Sequence, residues 1–165
     1  MALASGSLVE AQPKSGTIDH AALAEKLVGG SANVKEGDIV ELRGGAADLP
    51  LLEELVIAVR KRGAHPLLSI GSEKVAKAFN TTIADKYDAQ APKLELELAK
   101  LINVRITIPA VRDPSIGTLL SADRQAKREK AGQPVRELIL KRNVRTVELD
   151  NGFAPSPWRA KELGI

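Results

Sequence analysis

The stretch from Val34 to Ile70 constrains the fold more than any other part of the chain. It predicts a strand over Asp38 to Arg43, a helix over Leu49 to Arg62, and a second strand over Leu67 to Ile70. Two strands joined through one helix lie side by side in parallel, with a right-handed crossover. The stretch therefore predicts a parallel sheet, which is typical of α/β proteins.

The helix is the most clearly marked element of this unit. Its apolar residues recur at the spacing of one helical face: Leu51, Leu52, Leu55, Val56 and Val59. Asp48 precedes it as a helix start, and Pro50 lies in the first turn, where the missing N–H costs nothing. Gly63 follows a basic last turn and ends the helix.

The remaining segments alternate between helix and strand in the same way. We expect helices over about His20 to Val28, from Ser72 onward, over Lys93 to Leu101 and after the turn Arg112-Asp113-Pro114. Pro134 is expected to restart a helix over Val135 to Arg142. We expect strands over Asn103 to Val111 and over Asn143 to Leu149. Pro109 either places the third strand at an edge of the sheet or ends it. The order predicts a three-layer, Rossmann- or flavodoxin-like α/β domain with a mostly parallel sheet of about four strands.

The chain of 165 residues is long enough for one domain with a sizeable core, which we place at residues 17–165. Residues 1–16 are small and polar, and we expect a disordered tail there, with a remnant of a processed secretion signal as the alternative. The compartment stays open between the cytoplasm, which is favoured, and secretion. Apolar runs fall well short of the roughly 20 residues of a membrane span, so no membrane partner is expected.

Composition excludes several classes of site. The chain has no cysteine, which rules out disulfides, zinc-thiolate sites and thiol nucleophiles. Its two histidines, His20 and His65, are too few for most His-based metal sites. Aromatic residues make up only 2% and the net charge is +3, so base stacking and a strongly basic surface are both missing and no nucleic-acid partner is expected.

Ligands of parallel sheets bind at the carboxyl ends of the strands. Those ends offer the Gly44-Gly45 turn, the Arg112 guanidinium, and the Asp113 and Asp150 carboxylates. Gly44-Gly45 lies between a strand and a helix but lacks the G-x-G-x-x-G pattern and a P-loop lysine, so a simple turn is favoured over nucleotide binding. The residues specify no nucleophile with its base and no carboxylate pair, and we assign no catalytic, cofactor-binding or metal-ligating residue.

Two further features have a structural interpretation that we favour over a functional one. His65 precedes Pro66 at the start of a strand, where a packed or hydrogen-bonded histidine is more common than a catalytic one. Arg124 to Lys130 forms a dense basic cluster, in which Asp123 and Glu129 are interleaved. An exposed helix face is favoured there over a nucleic-acid or phosphate site.

Several short motifs carry a resemblance to a known family. They are Gly37-Asp38, Pro50-Leu51, Arg62-Gly63-Ala64-His65-Pro66, the strand and loop from Ile106 to Asp113, and the C-terminal NGFAPSPWRAKELGI. Together they resemble the N-terminal domain of the aminopeptidase T family, metal-dependent peptidases that include the thermophilic leucyl aminopeptidases. Ser156-Pro157-Trp158 departs from the family's usual proline-threonine pair, and the residues before Thr17 have no counterpart.

The resemblance implies a non-catalytic support and dimerisation domain. It also implies that the two divalent metal ions, of zinc or cobalt type, belong to a separate catalytic domain outside this chain, so no metal ligand is carried over to any residue here. The expected partners are a second copy or that catalytic domain. The alternatives are a stand-alone α/β binding or self-assembly module without peptidase activity, and a nucleotide- or phosphate-binding regulator that uses Gly44-Gly45 and the basic cluster.

Overall fold

The computed structural model describes residues 18–149, which form one four-stranded parallel sheet with helices packed on it. The elements are α1 (His20–Lys26, continued by a π-helical turn, Leu27–Ser31), β1 (Ile39–Gly45), α2 (Leu49–Lys61), β2 (His65–Gly71), α3 (Glu73–Thr81), α4 (Lys93–Leu101), β3 (Val104–Thr107), α5 (Ser115–Thr118), α6 (Ala122–Lys141) and β4 (Arg145–Glu148). Short 3-10 turns precede α2 (Ala46–Asp48) and α4 (Asp85–Tyr87). The predicted α/β class and the four-stranded parallel sheet are confirmed.

The strands lie in the order β2-β1-β3-β4, and each neighbouring pair is parallel. Within residues 18–149 no helix is long and apolar enough to cross a bilayer. The predicted tail, residues 1–16, and the segment after Leu149 lie outside the described residues.

One face of the sheet, the apolar face, carries the core. Val40 and Leu42 of β1 and Ile106 of β3 are buried there, and α1 and α2 cover them. Leu52 and Leu55 of α2 are fully buried, and each such side chain contributes about 1.5–3 kcal/mol. The amphipathic pattern of α2 is therefore the main reason why the apolar face of the sheet is covered and buried.

The opposite face, the polar face, is built differently. Alternate residues along each strand point to it, and it carries Glu41 and Arg43 of β1, Ser69 of β2, and Arg105 and Thr107 of β3. The helices on this side contribute little core: among described side chains, α3 and α6 bury none and α4 buries only Ala99.

Two predictions about proline need correction. α6 runs without interruption from Ala122 to Lys141 with Pro134 inside it, so the helix does not restart there. Pro134 is exposed, and water can solvate the carbonyl whose hydrogen bond it removes. β3 is an interior strand, so the edge alternative for Pro109 is wrong; the strand ends at Thr107, before that proline.

Candidate functional site

Gly44 and Gly45, predicted to form a turn after the first strand, are instead the last two residues of β1, and protein atoms pack closely against them. The segment after β3 crosses the ends of β1 and β2: a Cβ added at Gly71 would lie 3.0 Å from the Ala110 Cβ, and one at Gly45 would lie 3.4 Å from the Ala110 Cα. The Gly45 N–H donates to the Asp48 carboxylate at 3.1 Å. These glycines therefore permit close backbone packing, and a carboxylate already takes the N–H that a phosphate would need.

The loop that follows β3 is fastened by two acidic residues. Arg112 donates to the Asp48 carboxylate, which is buried. Glu73 Oε1, at the start of α3, accepts from the backbone N–H groups of Arg112 and Asp113 at 3.1 and 3.2 Å. Arg112 and Asp113 thus lie at the carboxyl edge as predicted, where their contacts hold a loop in place.

Two residues near this edge have contacts that the sequence did not predict, and a third predicted residue lies outside the described part of the chain. Asp48 precedes α2 as predicted, but its carboxylate accepts from Gly45 and Arg112 and caps no helix N–H. Glu73 was missed as a loop anchor. Asp150 lies outside the described residues.

The polar face holds a buried charge cluster made of Glu41, Arg43 and Arg105. Glu41 Oε1 accepts from Arg43 Nε at 2.8 Å, and Oε2 accepts from Arg105 Nε at 2.6 Å. The Glu41 side chain is fully buried, that of Arg105 is 16% exposed, and that of Arg43 reaches solvent. Two cations meet one anion, so the cluster carries a net charge of +1 beneath the helices.

A groove of about 540 Å³ lies between this charge cluster and α4, and we call it the sheet-face groove. Glu41, Arg43, Ser69 and Thr107 line its sheet side, and Phe79, Leu94, Glu95 and Leu98 line its helix side. Ile70, Phe79 and Leu94 are large apolar residues on its rim, 52%, 54% and 68% exposed. A polar floor with an exposed apolar rim is typical of a surface that binds a ligand or another protein.

A second cavity of about 410 Å³ adjoins the groove and shares Phe79 and Glu95 with it. Ile83, Tyr87 and Ala131 supply much of its apolar lining. The two aromatic residues that the structure describes, Phe79 and Tyr87, are therefore both exposed on the same side of the molecule. Exposed aromatic side chains are enriched at interfaces.

The basic cluster on α6 is mainly an internal clamp. Arg124 and Arg128 both bind Asp88, at 2.6 and 2.7 Å, and both donate to the Phe79 carbonyl near the end of α3. Guanidinium groups at a helix C-terminus satisfy carbonyls that lack partners within the helix. The exposed-face interpretation is thus wrong for Arg124 and Arg128.

The electrostatics of the clamp follow from these contacts. The hydrogen bond from Arg124, with a further one from Arg128, lowers the pKa of Asp88 to about 2, although burial opposes the shift. The same bond raises the pKa of Arg124. Lys127 fits the exposed interpretation, because Asp123 one turn away raises its pKa and its side chain remains solvated.

His65 lies at the opposite end of the sheet from the grooves. It is the first residue of β2, its side chain is exposed, and its backbone N–H donates to the Asp38 carbonyl at 2.8 Å. His65 is therefore far from Arg112 and from Gly44-Gly45, which lie at the carboxyl ends of the strands. Within residues 18–149, no group of three or more His, Cys, Asp or Glu side chains is arranged to hold a metal ion.

The charge cluster of Glu41, Arg43 and Arg105 was missed from the sequence, although a signal was present. Glu41 and Arg43 alternate with apolar residues in β1, and Arg105 does so in β3. A strand buried on both faces is usually apolar throughout, so this alternation indicates a polar face on interior strands.

Comparison with known proteins gives a likeness in fold. No protein-family model matches the chain, and no curated protein matches it. Among solved structures, wild-type AmpT from Thermus thermophilus superposes with a TM-score of 0.64 at 16% sequence identity, over 79% of this chain and 36% of that one. The chain therefore shares a fold with about a third of an aminopeptidase T.

Proposed function

We propose that this chain is a non-catalytic support and dimerisation domain of the kind found in metal-dependent leucyl-type aminopeptidases. The observation that carries the proposal is the superposition on AmpT, which spans most of this chain but about a third of that protein. The metal-binding catalytic domain, with two divalent ions of zinc or cobalt type, would lie outside this chain.

The uneven construction of the two sheet faces supports this role. The apolar face is closed by α1 and α2, whereas the helices on the polar side leave large apolar residues in solvent, including Leu101 and Leu140. Exposed apolar surface of this kind marks a protein–protein contact. A second copy packed there by a two-fold axis would bury it.

Peptidase assays test the catalytic half of the proposal. The pure chain, supplied with zinc or cobalt, is expected to release no amino acid from amino-acid amides. A thermophilic aminopeptidase of the same family, assayed beside it, serves as the positive control. Metal-dependent release by this chain that a chelator abolishes would overturn the proposal.

The sheet-face groove favours a second candidate, a stand-alone binding module without peptidase activity. Its 540 Å³ lies within the size range of small-molecule sites, and Arg43 brings a partly exposed guanidinium to its floor. Such a module would take small anions with an apolar body. A rise in melting temperature with aromatic carboxylates, lost in Arg43→Gln, would favour this candidate; equal melting temperatures would remove it.

A further inference from the structure

The sheet-face groove carries opposite charges on its two walls. Arg43 lies on the sheet side and Glu95 on the helix side, and both line the same space. Within residues 18–149 no ion pair joins them, and Glu95 takes part in none. The groove therefore offers a cation and an anion that do not neutralise each other, with room for a ligand between them.

Arg43 has capacity left for an anionic group. Its Nε and one terminal nitrogen contact the same carboxylate oxygen, Glu41 Oε1, at 2.8 and 2.7 Å. Its other terminal nitrogen takes part in no hydrogen bond within the described residues, and the side chain is 37% exposed. Because Arg105 also binds Glu41, that single carboxylate leaves positive charge over, and a ligand carboxylate can bind it.

Glu95 supplies the complementary group. It lies in the first turn of α4 and is exposed, so its carboxylate is in reach of a ligand. An ammonium group has three N–H donors and suits an acceptor of this kind. Phe79 lines the same groove, and an aromatic face also attracts an ammonium group.

The space between the two charges has an apolar wall. Leu94 and Leu98 lie four residues apart on α4, on the face that also carries Glu95, and Phe79 of α3 adds an aromatic ring. Phe79 and Leu94 are 54% and 68% exposed. A large apolar group of a ligand would remove these side chains from water.

We propose that the sheet-face groove binds an α-amino acid with a large apolar side chain. Its carboxylate lies on Arg43, its ammonium group lies on Glu95, and its side chain packs against Phe79 and Leu94. This inference rests on the binding-module candidate above and adds a cation to the anion with an apolar body that Arg43 alone would select. It does not depend on the aminopeptidase relationship.

Isothermal titration of the pure chain with three ligands of one shape tests the proposal. L-Phenylalanine carries both charges, hydrocinnamate carries only the carboxylate, and phenethylamine carries only the ammonium group. We expect L-phenylalanine to bind at least about fivefold more tightly than either of the others, because each of them lacks one charged contact.

Glu95→Gln assigns the ammonium contact. The variant should lower the affinity for L-phenylalanine to that for hydrocinnamate, and it should not weaken hydrocinnamate binding. Glu97→Gln, at an exposed carboxylate of α4 that does not line the groove, is the matched control and should leave all three affinities unchanged. Circular dichroism confirms that both variants are folded, which is expected since both side chains are exposed.

Two results would overturn the proposal. One is equal affinity of the wild type for L-phenylalanine and hydrocinnamate, and the other is L-phenylalanine binding that survives Glu95→Gln unchanged. If hydrocinnamate still bound and Arg43→Gln abolished its binding, the binding-module candidate would stand while the amino-acid proposal failed. Absence of binding by all three ligands would remove both.

Discussion

Glu41 shows how a single residue shapes this protein. Its carboxylate lies on an interior strand with no exposure and is held by Arg43 and Arg105. A buried ion pair of this kind adds little net stability over an apolar core, because desolvation offsets the attraction. Its effect here is positional: the charged layer occupies the sheet face where apolar side chains would otherwise let α4 pack closely.

Removal of the Glu41 charge should be costly. Glu41→Gln leaves two guanidinium groups without their anion, and we expect the free energy of unfolding to fall by about 3 kcal/mol, the lower end for broken buried pairs, since Arg43 reaches solvent. Urea unfolding measures the loss. Glu97→Gln, which breaks an exposed pair with Lys100, is the control and should cost less than about 1 kcal/mol. Equal losses in the two variants would contradict this account.

Asp88 should make the clamp between α3 and α6 sensitive to acid. Its pKa is lowered from 3.8 to about 2 in the folded chain, so the ionised form is favoured by folding. That contribution is fully present above pH 3.8 and is lost as the pH falls toward 2. The difference in the free energy of unfolding between the wild type and Asp88→Asn should therefore be constant at higher pH. It should decrease as the pH falls from 3.8 to about 2.

Urea midpoints measured through the acid range check the prediction for Asp88. Asp85→Asn removes a nearby exposed carboxylate and controls for the loss of one surface charge. A difference between the wild type and Asp88→Asn that stays constant down to pH 2 would show that the arginine contacts do not act on Asp88 as described.

At the scale of elements, the sequence predicted those helices and strands whose own residues mark their buried face and their ends. α2 has a complete apolar face, a proline in its first turn and a glycine after its end, and its predicted and observed bounds nearly coincide. Gly63 adopts φ +72°, the conformation that ends α2 and that other residues rarely take. The groove could not be predicted in this way, because Glu41, Phe79 and Leu94 meet only through the crossover from β2 to β3.

α6 is the element where local rules and the observed structure disagree. It spans Ala122–Lys141 with a proline at its exposed position 134. Tertiary contacts at its N-terminal half, where Arg124 and Arg128 bind Asp88, keep that half in place. A helix anchored in this way can tolerate a residue that an isolated helix could not.

Pro134→Ala should therefore stabilise the protein. The substitution restores a backbone hydrogen bond and removes a steric clash, and we expect the free energy of unfolding to rise by about 1–3 kcal/mol. Chemical denaturation measures the change. Gln133→Ala, at the neighbouring exposed position, is the matched control and should change stability by less than about 1 kcal/mol. A destabilised Pro134→Ala would indicate that the helix needs a break at this point.

At the scale of the molecule, residues 18–149 are asymmetric about the sheet. The apolar face has a complete core under α1 and α2, while the polar face has a charged floor, an open groove and helices that bury almost nothing. A stable domain that leaves one side, here called the unfinished side, with exposed apolar surface is expected to bind another protein through that side. The superposition on about a third of AmpT shows a likeness in fold.

Sedimentation equilibrium of the pure chain tests the central claim, that this unfinished side is an assembly surface. We predict a reversible dimer whose population rises with protein concentration. The substitution Leu140→Glu, at the most exposed large apolar residue of α6, should convert this dimer to monomer. Ile57→Glu, on the closed side, should leave the dimer intact. A wild-type chain that remains monomeric at every concentration would contradict the claim.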